Sequence, residues 1–344
     1  LVICLTLLMI SPTLIAYYFQ FDAHPEKEIF GSKGVSGIKF FFWDSQWGRF
    51  TNTGPIKGHG DPFFFFHTML WAFAPWALLA YAGIFRKIKY IINGKNTYES
   101  YTILGFIFTF IIFSLSRFQL PHYLNQLFPY LAILTAFVLL DRSRDYRFLK
   151  NHYILMVGIS MIFLALIVLL HVFYFNNIPL IDVIVVLLAG VTASLYFLVQ
   201  NRTLIKRVII PPAIIILSVN YYLNRQFYPD HLKYQSESEL AFYMIDEQLP
   251  ADKLVIFEKL HWSTQYYLKR IIPSVTEDEL SRTNLKGLLV FTDEEGLEKL
   301  DKYGYAFKTI KEFKDFHVTG LNIKFINSST RESTLTKTYL VSVQ

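Results

Sequence analysis

Residues 152–175 read HYILMVGISMIFLALIVLLHVFYF, a run that contains no Asp, Glu, Lys or Arg. An apolar run of about 20 residues is long enough to cross the roughly 30 Å hydrocarbon core of a bilayer as a helix. The following run at 178–200 is almost wholly apolar as well. These two runs predict adjacent membrane-spanning helices, and they decide the class of the fold.

Further apolar runs of similar length flank this pair. They lie at about 1–19, 62–84, 99–116, 122–140 and 207–224. Together with the central pair they predict about seven spanning helices. We therefore expect a polytopic α-helical membrane protein, with a transmembrane region at 1–224 that includes a long loop at 20–61.

The composition of the chain agrees with a membrane protein. Hydrophobic residues make up 53% of the 344 residues and charged residues 17%, below the roughly 25% charged residues of soluble domains. Residues 1–224 carry 17 Lys and Arg against 9 Asp and Glu, whereas 225–344 carry 16 against 18. The positive excess predicts loops at an anionic membrane surface and argues against nucleic-acid binding. The single cysteine, Cys4, excludes an internal disulfide and a cysteine-based metal cluster.

The basic residues of the apolar region are concentrated in three connecting loops. Loops rich in Lys and Arg stay on the cytoplasmic side of a membrane. We therefore expect these three loops to be cytoplasmic, and both the loop at 20–61 and residues 225–344 to lie outside the cytoplasm. The basic residues are Arg86, Lys87, Lys89 and Lys95, then Arg142, Arg144, Arg147 and Lys150, then Arg202, Lys206 and Arg207.

Residues 225–344 have the alternating pattern of a small extracytoplasmic α/β domain. Helices are predicted at 236–248, 263–270 and 294–303, and strands at 253–258, 287–292, 306–313, 321–326 and 338–343. Ser236 and Glu239 predict a capping box for the first helix. The acidic triplets at 277–279 and 293–295 are expected to cap helices or face solvent. His261 and Trp262 suit a saccharide contact, although an ordinary domain surface explains them better.

The loop at 20–61 contains an aromatic stretch, FFFWDSQWGRF, at residues 40–50. Its aromatic side chains are typical of an amphipathic helix in the headgroup layer of a membrane. Asp44 and Arg49 are five positions apart, so they are not direct partners on one helix face. Their charges are better explained by a partner elsewhere, such as a phosphate or a metal ion.

A second polar segment, SLSRFQLPHY at 114–123, lies between the third and fourth apolar runs. A charge at this depth is costly unless it is paired or reaches the interface. Arg117, His122 and Tyr123 are hydrogen-bond donors that suit an anionic headgroup. A snorkelling arginine beside an interfacial tyrosine explains the same residues, and both interpretations stay open on composition alone.

Three motifs follow one another in a recognisable order: Arg49-Phe50, His59-x-x-Pro62-Phe63 and Ser116-Arg117-x-x-Leu120-Pro121-x-Tyr123. With this order the sequence resembles the membrane glycosyltransferases related to the lipid A aminoarabinose transferase and the protein O-mannosyltransferases. That family has the GT-C architecture. The resemblance covers residues 1–140 by motif. It implies transfer of a sugar from a polyprenyl-phosphate donor to a glycolipid or protein acceptor, at the outer face of a bacterial-type inner membrane.

The resemblance also implies roles for individual residues. Arg49, Tyr123, Arg117 and His122 become candidates for binding the lipid phosphate, and Asp44 and His59 for contacts to the acceptor or to a divalent metal, which is the one cofactor left open. Displacement at an anomeric carbon needs a base for the acceptor and stabilisation of the phosphate leaving group. No catalytic residue is assigned, because the family carries its catalytic acid after an earlier span. The chain is thus expected to be a C-terminal portion, inactive alone, with the catalytic Asp upstream of Leu1.

One departure and two alternatives remain. Relatives usually carry Lys at the position of Gln119, so this chain lacks one positive charge there. A non-enzymatic membrane scaffold or receptor, whose C-terminal domain binds a partner, is the main alternative to the enzyme. A secondary transporter is disfavoured, because transporters place polar groups near the bilayer midplane whereas here they cluster near one surface.

Overall fold

The computed structural model describes residues 1–29, 32–94, 100–175, 180–199, 203–259 and 262–344. The chain forms two compact units, the first made of Leu1–Ile159 with Thr203–Ile209 and the second of Ser160–Arg202 with Ile210–Gln344. Some sequence predictions lie outside the described residues, namely those on Lys95, Arg202 and His261.

The first unit is helical. Its helices are α1 (Val2–Tyr17), α2 (Gly37–Lys39), α3 (Trp47–Thr51), α4 (Phe64–Ala72), α5 (Ala77–Ile92), α6 (Tyr101–Leu115), α7 (Phe128–Asp141) and the first part of α8 (Tyr146–Tyr174). Short π-helical turns follow at Tyr18–Asp22 and Phe40–Asp44, a 3-10 helix covers Pro121–Gln126, and a small hairpin joins β1 (Glu28–Ile29) to β2 (Ser32–Lys33). The loop at 20–61 therefore contains short helical pieces in place of one long amphipathic helix.

Three helical segments of the described residues are long and apolar enough to cross a membrane: Val2–Asp22, Tyr146–Tyr174 and Leu204–Tyr234. The apolar helices α6, α7 and Ile181–Thr192 are shorter. The protein is therefore a membrane protein with a mostly helical fold, and the number of seven spans stays a prediction.

The prediction of one continuous helix at 62–84 is wrong. The structure has two helices, α4 and α5, separated by residues 73–76. Pro75 lies in this break, and it has no backbone N–H to continue a helix. The second helix runs on to Ile92, so Arg86, Lys87 and Lys89 lie on a helix and not in a loop.

The core of the first unit lies between α4, α5, α6 and α7. Phe65, Met69, Ile103 and Leu131 are fully buried there. Helices α5 and α7 approach closely at Gly83, where an added Cβ would lie 2.3 Å from the backbone oxygen of Leu134. Small residues permit such close packing between membrane helices. This core supports the end of α6 and the start of α4, from which the site is built.

The second unit combines helices with a five-stranded mixed sheet. Its helices are the rest of α8, then α9 (Ile181–Val199), α10 (Leu204–Tyr222, from Ile210 onward), α11 (Tyr228–His231), α12 (Ser236–Asp246), α13 (Trp262–Leu268), α14 (Glu277–Leu280), α15 (Glu294–Lys302) and α16 (Ile323–Ile326). The strands are β3 (Leu254–Phe257), β4 (Ser274–Val275), β5 (Leu289–Asp293), β6 (Phe307–Asp315) and β7 (Thr336–Val343). Shorter turns lie at Leu223–Phe227, Leu232–Tyr234, Ala251–Lys253 and Arg331–Thr334.

The order of the strands in the sheet is β4-β3-β5-β7-β6. Strand β3 is parallel to β4 and β5, and β7 is antiparallel to β5 and β6. Apolar side chains cover both faces of the sheet, with Leu240 and Met244 of α12 on one face and Leu280 and Leu300 of α14 and α15 on the other. The α/β pattern is therefore present, while the boundary at residue 225 and the side of the membrane stay predictions.

Two local predictions in this region are wrong. The segment at 321–326 is not a strand: Asn322 Oδ1 accepts a hydrogen bond from Phe325 N (2.9 Å) and caps the short helix α16. The capping box at Ser236 is absent as well, because Ser236 Oγ donates to Asp315 Oδ1 (2.7 Å) and α12 starts after Gln235. Strand β4 and helix α14 have no counterpart in the sequence predictions.

The acidic triplets, in contrast, cap helices as predicted. Thr276 and Glu279 form a capping box at the start of α14. Asp293 Oδ1 accepts a hydrogen bond from Gly296 N (3.0 Å) at the start of α15. Burial tends to raise the pKa of Asp293, but this bond and the nearby Lys259 outweigh it and hold that pKa below its usual value.

Candidate functional site

The three motif segments lie side by side in the first unit. Arg117 N donates to the backbone oxygen of Phe50 (3.1 Å), and Gly60 N donates to the backbone oxygen of Arg117 (2.8 Å). The segment at 116–119, the hairpin tip between α6 and α7, is thus hydrogen-bonded on both sides by the loop at 20–61. Residues distant in sequence form one local structure here.

Two glycines permit this close approach. An added Cβ at Gly58 would lie 2.6 Å from the backbone oxygen of Arg117, and one at Gly60 would lie 2.5 Å from the backbone oxygen of Ser116. Any side chain at these positions would push the two segments apart. His59 is placed between the two glycines, and its side chain is exposed.

The loop and the hairpin enclose a cavity of about 630 Å³. Arg49 and Tyr123 line it together, so the structure joins two of the six candidate residues. Most of the other lining side chains are aromatic or apolar. The lining consists of Phe42, Trp43, Ser45, Gln46, Trp47, Arg49, Phe50, Ile112, Phe113, Ser116, Phe118, Tyr123 and Gln126.

Arg49 is the positively charged residue among those that line this cavity. Its guanidinium carbon lies 5.2 Å from the centroid of the Phe118 ring, a cation–π contact. Its Nε is buried and has no hydrogen-bond partner among the described residues, and no ion pair involves this side chain there. An unsatisfied buried donor carries a desolvation cost. An anion in the cavity would remove that cost.

Tyr123 is held by other rings. Its ring stacks on Phe65 with centroids 6.4 Å apart and packs against Phe113 at 5.7 Å. Phe65 belongs to the buried core. The core therefore fixes the position of the tyrosine relative to the cavity, and its phenol supplies a hydrogen-bond donor at the wall.

The remaining candidates lie elsewhere. Arg117 and His122 are exposed and are not among the residues that line the cavity. Asp44 is partly exposed, with Lys39 Nζ 3.8 Å from its Oδ1. Within the described ranges, no group of three or more His, Cys, Asp or Glu residues could hold a metal ion. The roles of Asp44 and His59, and the divalent metal, stay predictions.

Comparison with known proteins bears on the fold. No family model and no curated protein sequence matches the chain. Two crystal structures of ArnT from Cupriavidus metallidurans do match, one bound to undecaprenyl phosphate (TM-score 0.57) and one in the apo state (0.55). Each is 17% identical in sequence, and the match covers 88% of this chain and 55% of ArnT. The chain has an ArnT-like fold.

This ArnT-like fold confirms the resemblance to GT-C glycosyltransferases as a likeness of fold. The chain spans about half the length of the ArnT structures that it matches. The confirmed similarity therefore extends to architecture, and the chemistry of the cavity must be argued from its own residues.

Sequence reasoning missed several residues that line the cavity of this ArnT-like chain, above all Trp43 and Trp47. Their ring centroids lie 6.1 Å apart, and Trp47 also stacks on Phe50 at 5.5 Å. Both tryptophans were assigned to a headgroup-layer helix. Their four-residue spacing places them on one helical face, which was the available signal for a shared surface.

Proposed function

We propose that this chain is part of a membrane glycosyltransferase that uses a polyprenyl-phosphate-linked sugar as donor. In this proposal the cavity binds the lipid phosphate at Arg49 and Tyr123. The ArnT-like fold supports it, because one of the two matching structures is ArnT bound to undecaprenyl phosphate. The observation that carries it is the buried, unpartnered Nε of Arg49 in an aromatic cavity.

The chemistry of sugar transfer fits these groups. A bond forms between an acceptor oxygen and the anomeric carbon, and the bond from that carbon to the phosphate oxygen breaks. The leaving phosphate gains negative charge as its bond breaks, so donors fixed near it lower the barrier. Arginine matches phosphate through parallel N–H donors, and Tyr123 adds an O–H. The base that takes the acceptor proton is not assigned to a residue of this chain.

The apolar part of the cavity suits the lipid. Trp43, Phe50 and Phe113 give it aromatic walls next to the arginine. An isoprenoid tail is favourably buried against such surfaces. Arg117 and His122, both exposed, are suited to attracting an anionic lipid before it enters the cavity.

The location and the acceptor belong to the same proposal. The distribution of basic residues favours an orientation with the loop at 20–61 and residues 225–344 outside the cytoplasm of a bacterial-type inner membrane. The acceptor is then a glycolipid or a protein hydroxyl on that side of the membrane. In this orientation, the end of α5 that carries Arg86 and Lys87 lies on the cytoplasmic side of the membrane.

Binding of undecaprenyl phosphate by the purified full-length protein tests the proposal. Two of the five tryptophans, Trp43 and Trp47, line the cavity, so their fluorescence should change as the lipid binds. We expect saturable binding of undecaprenyl phosphate and much weaker binding of undecaprenol, which lacks the charge. Arg49→Ala should weaken binding of the phosphate by about 10-fold or more, equivalent to ~1.4 kcal/mol.

A matched control is available on the same unit. Arg142 forms a partly exposed ion pair with Asp145 (2.8 Å), so Arg142→Ala should leave binding unchanged. Equal binding of the phosphate and the alcohol, or no effect of Arg49→Ala, contradicts the phosphate site. That result favours the alternative of a membrane scaffold without transferase activity.

A further inference from the structure

We infer that Gln119 is a positioning residue whose side-chain amide holds the loop at 20–61 on the hairpin tip and so sets the relative placement of Arg49 and Tyr123. The inference rests on the proposed function, because the groups that it positions are those assigned to the lipid phosphate. Gln119 itself does not line the cavity.

The amide of Gln119 forms a reciprocal pair with the backbone of Asp61. Its Oε1 accepts a hydrogen bond from Asp61 N (2.8 Å), and its Nε2 donates to the backbone oxygen of Asp61 (3.0 Å). This is the pattern by which one strand pairs with another. Asp61 in turn accepts a hydrogen bond from Phe63 N at its Oδ1 (2.9 Å), just before α4.

The same amide caps the end of helix α6. Gln119 Nε2 also lies 3.1 Å from the backbone oxygen of Ser114 and 3.4 Å from that of Phe113. These carbonyls belong to the last turn of the helix, where the regular i+4 backbone donors end; the oxygen of Phe113 also accepts a hydrogen bond from Ser116 N (3.2 Å). One side chain therefore joins the end of α6 to the start of α4.

The joined segments carry the groups of the site. Next to Gln119, the ring of Phe118 receives the guanidinium of Arg49, and Arg117 N is bonded to the backbone oxygen of Phe50. Tyr123 lies in the 3-10 helix that follows (Pro121–Gln126), with its N bonded to the backbone oxygen of Leu120 (3.1 Å). Loosening the link between 61 and 119 would allow Arg49 and Tyr123 to move relative to each other.

The chemistry of the link requires a glutamine-like group. An amide both donates and accepts, whereas a lysine ammonium donates only. A lysine at position 119, as in the family that the sequence resembles, could not accept the hydrogen bond from Asp61 N. It would add a positive charge but lose half of the reciprocal pair. For Gln119→Lys, the lost hydrogen bond from Asp61 N therefore predicts weaker binding of the lipid phosphate, whereas the added positive charge predicts tighter binding.

Three variants of the full-length protein separate these effects, with undecaprenyl phosphate as the probe and tryptophan fluorescence as the readout. We expect Gln119→Ala to weaken binding by about 10-fold, the equivalent of one or two hydrogen bonds, and Gln119→Lys to weaken it as well. Gln20→Ala is the control, since this exposed glutamine has no side-chain hydrogen bond within the described residues. Its binding should equal that of the wild type.

Gln119→Glu adds a pH profile. As a carboxylate the new group is an acceptor only and faces the oxygens of Asp61 and Ser114, so binding should be weak at neutral pH. When protonated it can donate and accept as the amide does. The ratio of variant to wild-type affinity should therefore recover toward one as the pH falls, and the use of a ratio cancels titration of the phosphate itself.

The possible results test the positioning role of Gln119 and the proposed function separately. Wild-type affinity in Gln119→Ala, or tighter binding in Gln119→Lys, overturns the positioning role and leaves the proposed function intact, provided that Arg49→Ala still weakens binding. A pH-independent ratio for Gln119→Glu overturns it too. If the wild-type protein does not bind undecaprenyl phosphate at all, the proposed function falls first and the inference falls with it.

Discussion

Arg49 and Arg331 are two arginines without a carboxylate partner among the described residues, each placed over aromatic rings, and they differ in what their N–H groups do. Arg49 of the first unit lines a cavity, and its Nε is buried without a hydrogen-bond partner in the described structure. Arg331 of the second unit is 8% exposed, and each of its three guanidinium nitrogens donates a hydrogen bond. The same residue type thus appears in two contrasting environments.

Arg331 fastens the connection between β6 and β7 to the end of α8. Its Nη2 donates to the backbone oxygen of Tyr174 (2.6 Å), its Nε to that of Phe325 (2.9 Å) and its Nη1 to Tyr234 Oη (3.2 Å). Its guanidinium carbon lies 4.0 Å from the centroid of the Tyr174 ring. A guanidinium whose three nitrogens all donate to protein oxygens stabilises the fold and has little capacity left for a ligand.

The difference shows that burial alone does not identify a binding group. Arg331 is buried, Arg49 is half-buried with a buried Nε, and both contact aromatic rings. Only the balance of donors and acceptors separates them, because a buried donor without an acceptor carries a cost that a ligand can remove. This balance is the physical ground for assigning Arg49 to a site and Arg331 to the structure.

Replacement of each arginine by glutamine should have opposite effects on transfer and stability, and these are the largest effects that we expect. In the full-length protein, Arg49→Gln should reduce sugar transfer by about 100-fold or more, the usual effect of removing one donor to a developing negative charge. The apparent melting temperature should hardly change, since Arg49 makes no hydrogen bond through Nε. Transfer assays and melting curves of both variants provide the measurements.

Arg331→Gln should show the reverse pattern. A lower melting temperature with near-normal transfer by the protein that remains folded would support the contrast. If both variants lose transfer at unchanged melting temperature, the distinction between the two arginines is wrong.

Because the hydrogen bonds of Arg331 stabilise the fold, Arg331→Ala should cause a large loss of stability. Removal of the guanidinium leaves the buried backbone oxygens of Tyr174 and Phe325 without these donors, and we expect a cost of about 3 kcal/mol in the free energy of unfolding. Thermal melting in detergent measures the change. Arg270→Ala is the control, because this arginine is exposed and has no side-chain hydrogen bond in the described parts of the chain. Equal melting of the two variants would contradict the role given to Arg331.

Gly60→Ala should displace Arg49 without changing the arginine itself. The added Cβ would lie 2.5 Å from the backbone oxygen of Ser116, so the loop must move away from the hairpin tip and Arg49 must move with it. We expect about a 10-fold loss in affinity for undecaprenyl phosphate. Gly158→Ala is the matched control, because an added Cβ at that glycine meets nothing within 4 Å. Normal affinity in Gly60→Ala would show that the loop can shift without disturbing the arginine.

The sequence predicted those features that local pattern determines. Apolar runs located the helices, and the order of three motifs brought Arg49 and Tyr123 into one candidate site. The break before α5 was missed because the apolar composition continues through Pro75. The false strand at 321–326 shows the same limit, since its apolar residues fit a strand until Asn322 is seen to cap a helix.

Contacts between distant segments could not be predicted in this way. Gln119 and Asp61 are separated by 58 positions, and Arg331 and Tyr174 by 157. Neither the hydrogen bonds between Gln119 and Asp61 nor those donated by Arg331 leave a periodic pattern in the sequence. Trp43 and Trp47 were recognised as interfacial residues, but the cavity that they line requires the hairpin tip as its second wall.

Lys299 is a third cation, and its partners are carboxylates. Its replacement is expected to have the smallest effect. Its Nζ lies 2.7 Å from Glu258, 3.0 Å from Glu277 and 2.9 Å from Glu295. The hydrogen bonds that Lys299 donates to Glu258, Glu295 and Glu277 raise its pKa above the usual value of 10.5. A raised pKa in the folded state means that this stabilisation is complete below that usual value and is lost as the pH rises through the folded pKa.

Lys299→Met should therefore lower the melting temperature slightly at neutral pH, because the ion pairs of a solvent-accessible group are weak and three carboxylates are left to repel one another. Added salt should reduce the difference from the wild type. Sugar transfer should stay unchanged. A loss of transfer at normal melting temperature would mean that Lys299, a cation already paired with carboxylates, takes part in the site. The presence of hydrogen-bond or ion-pair partners would then no longer distinguish structural cations from ligand-binding cations in this protein.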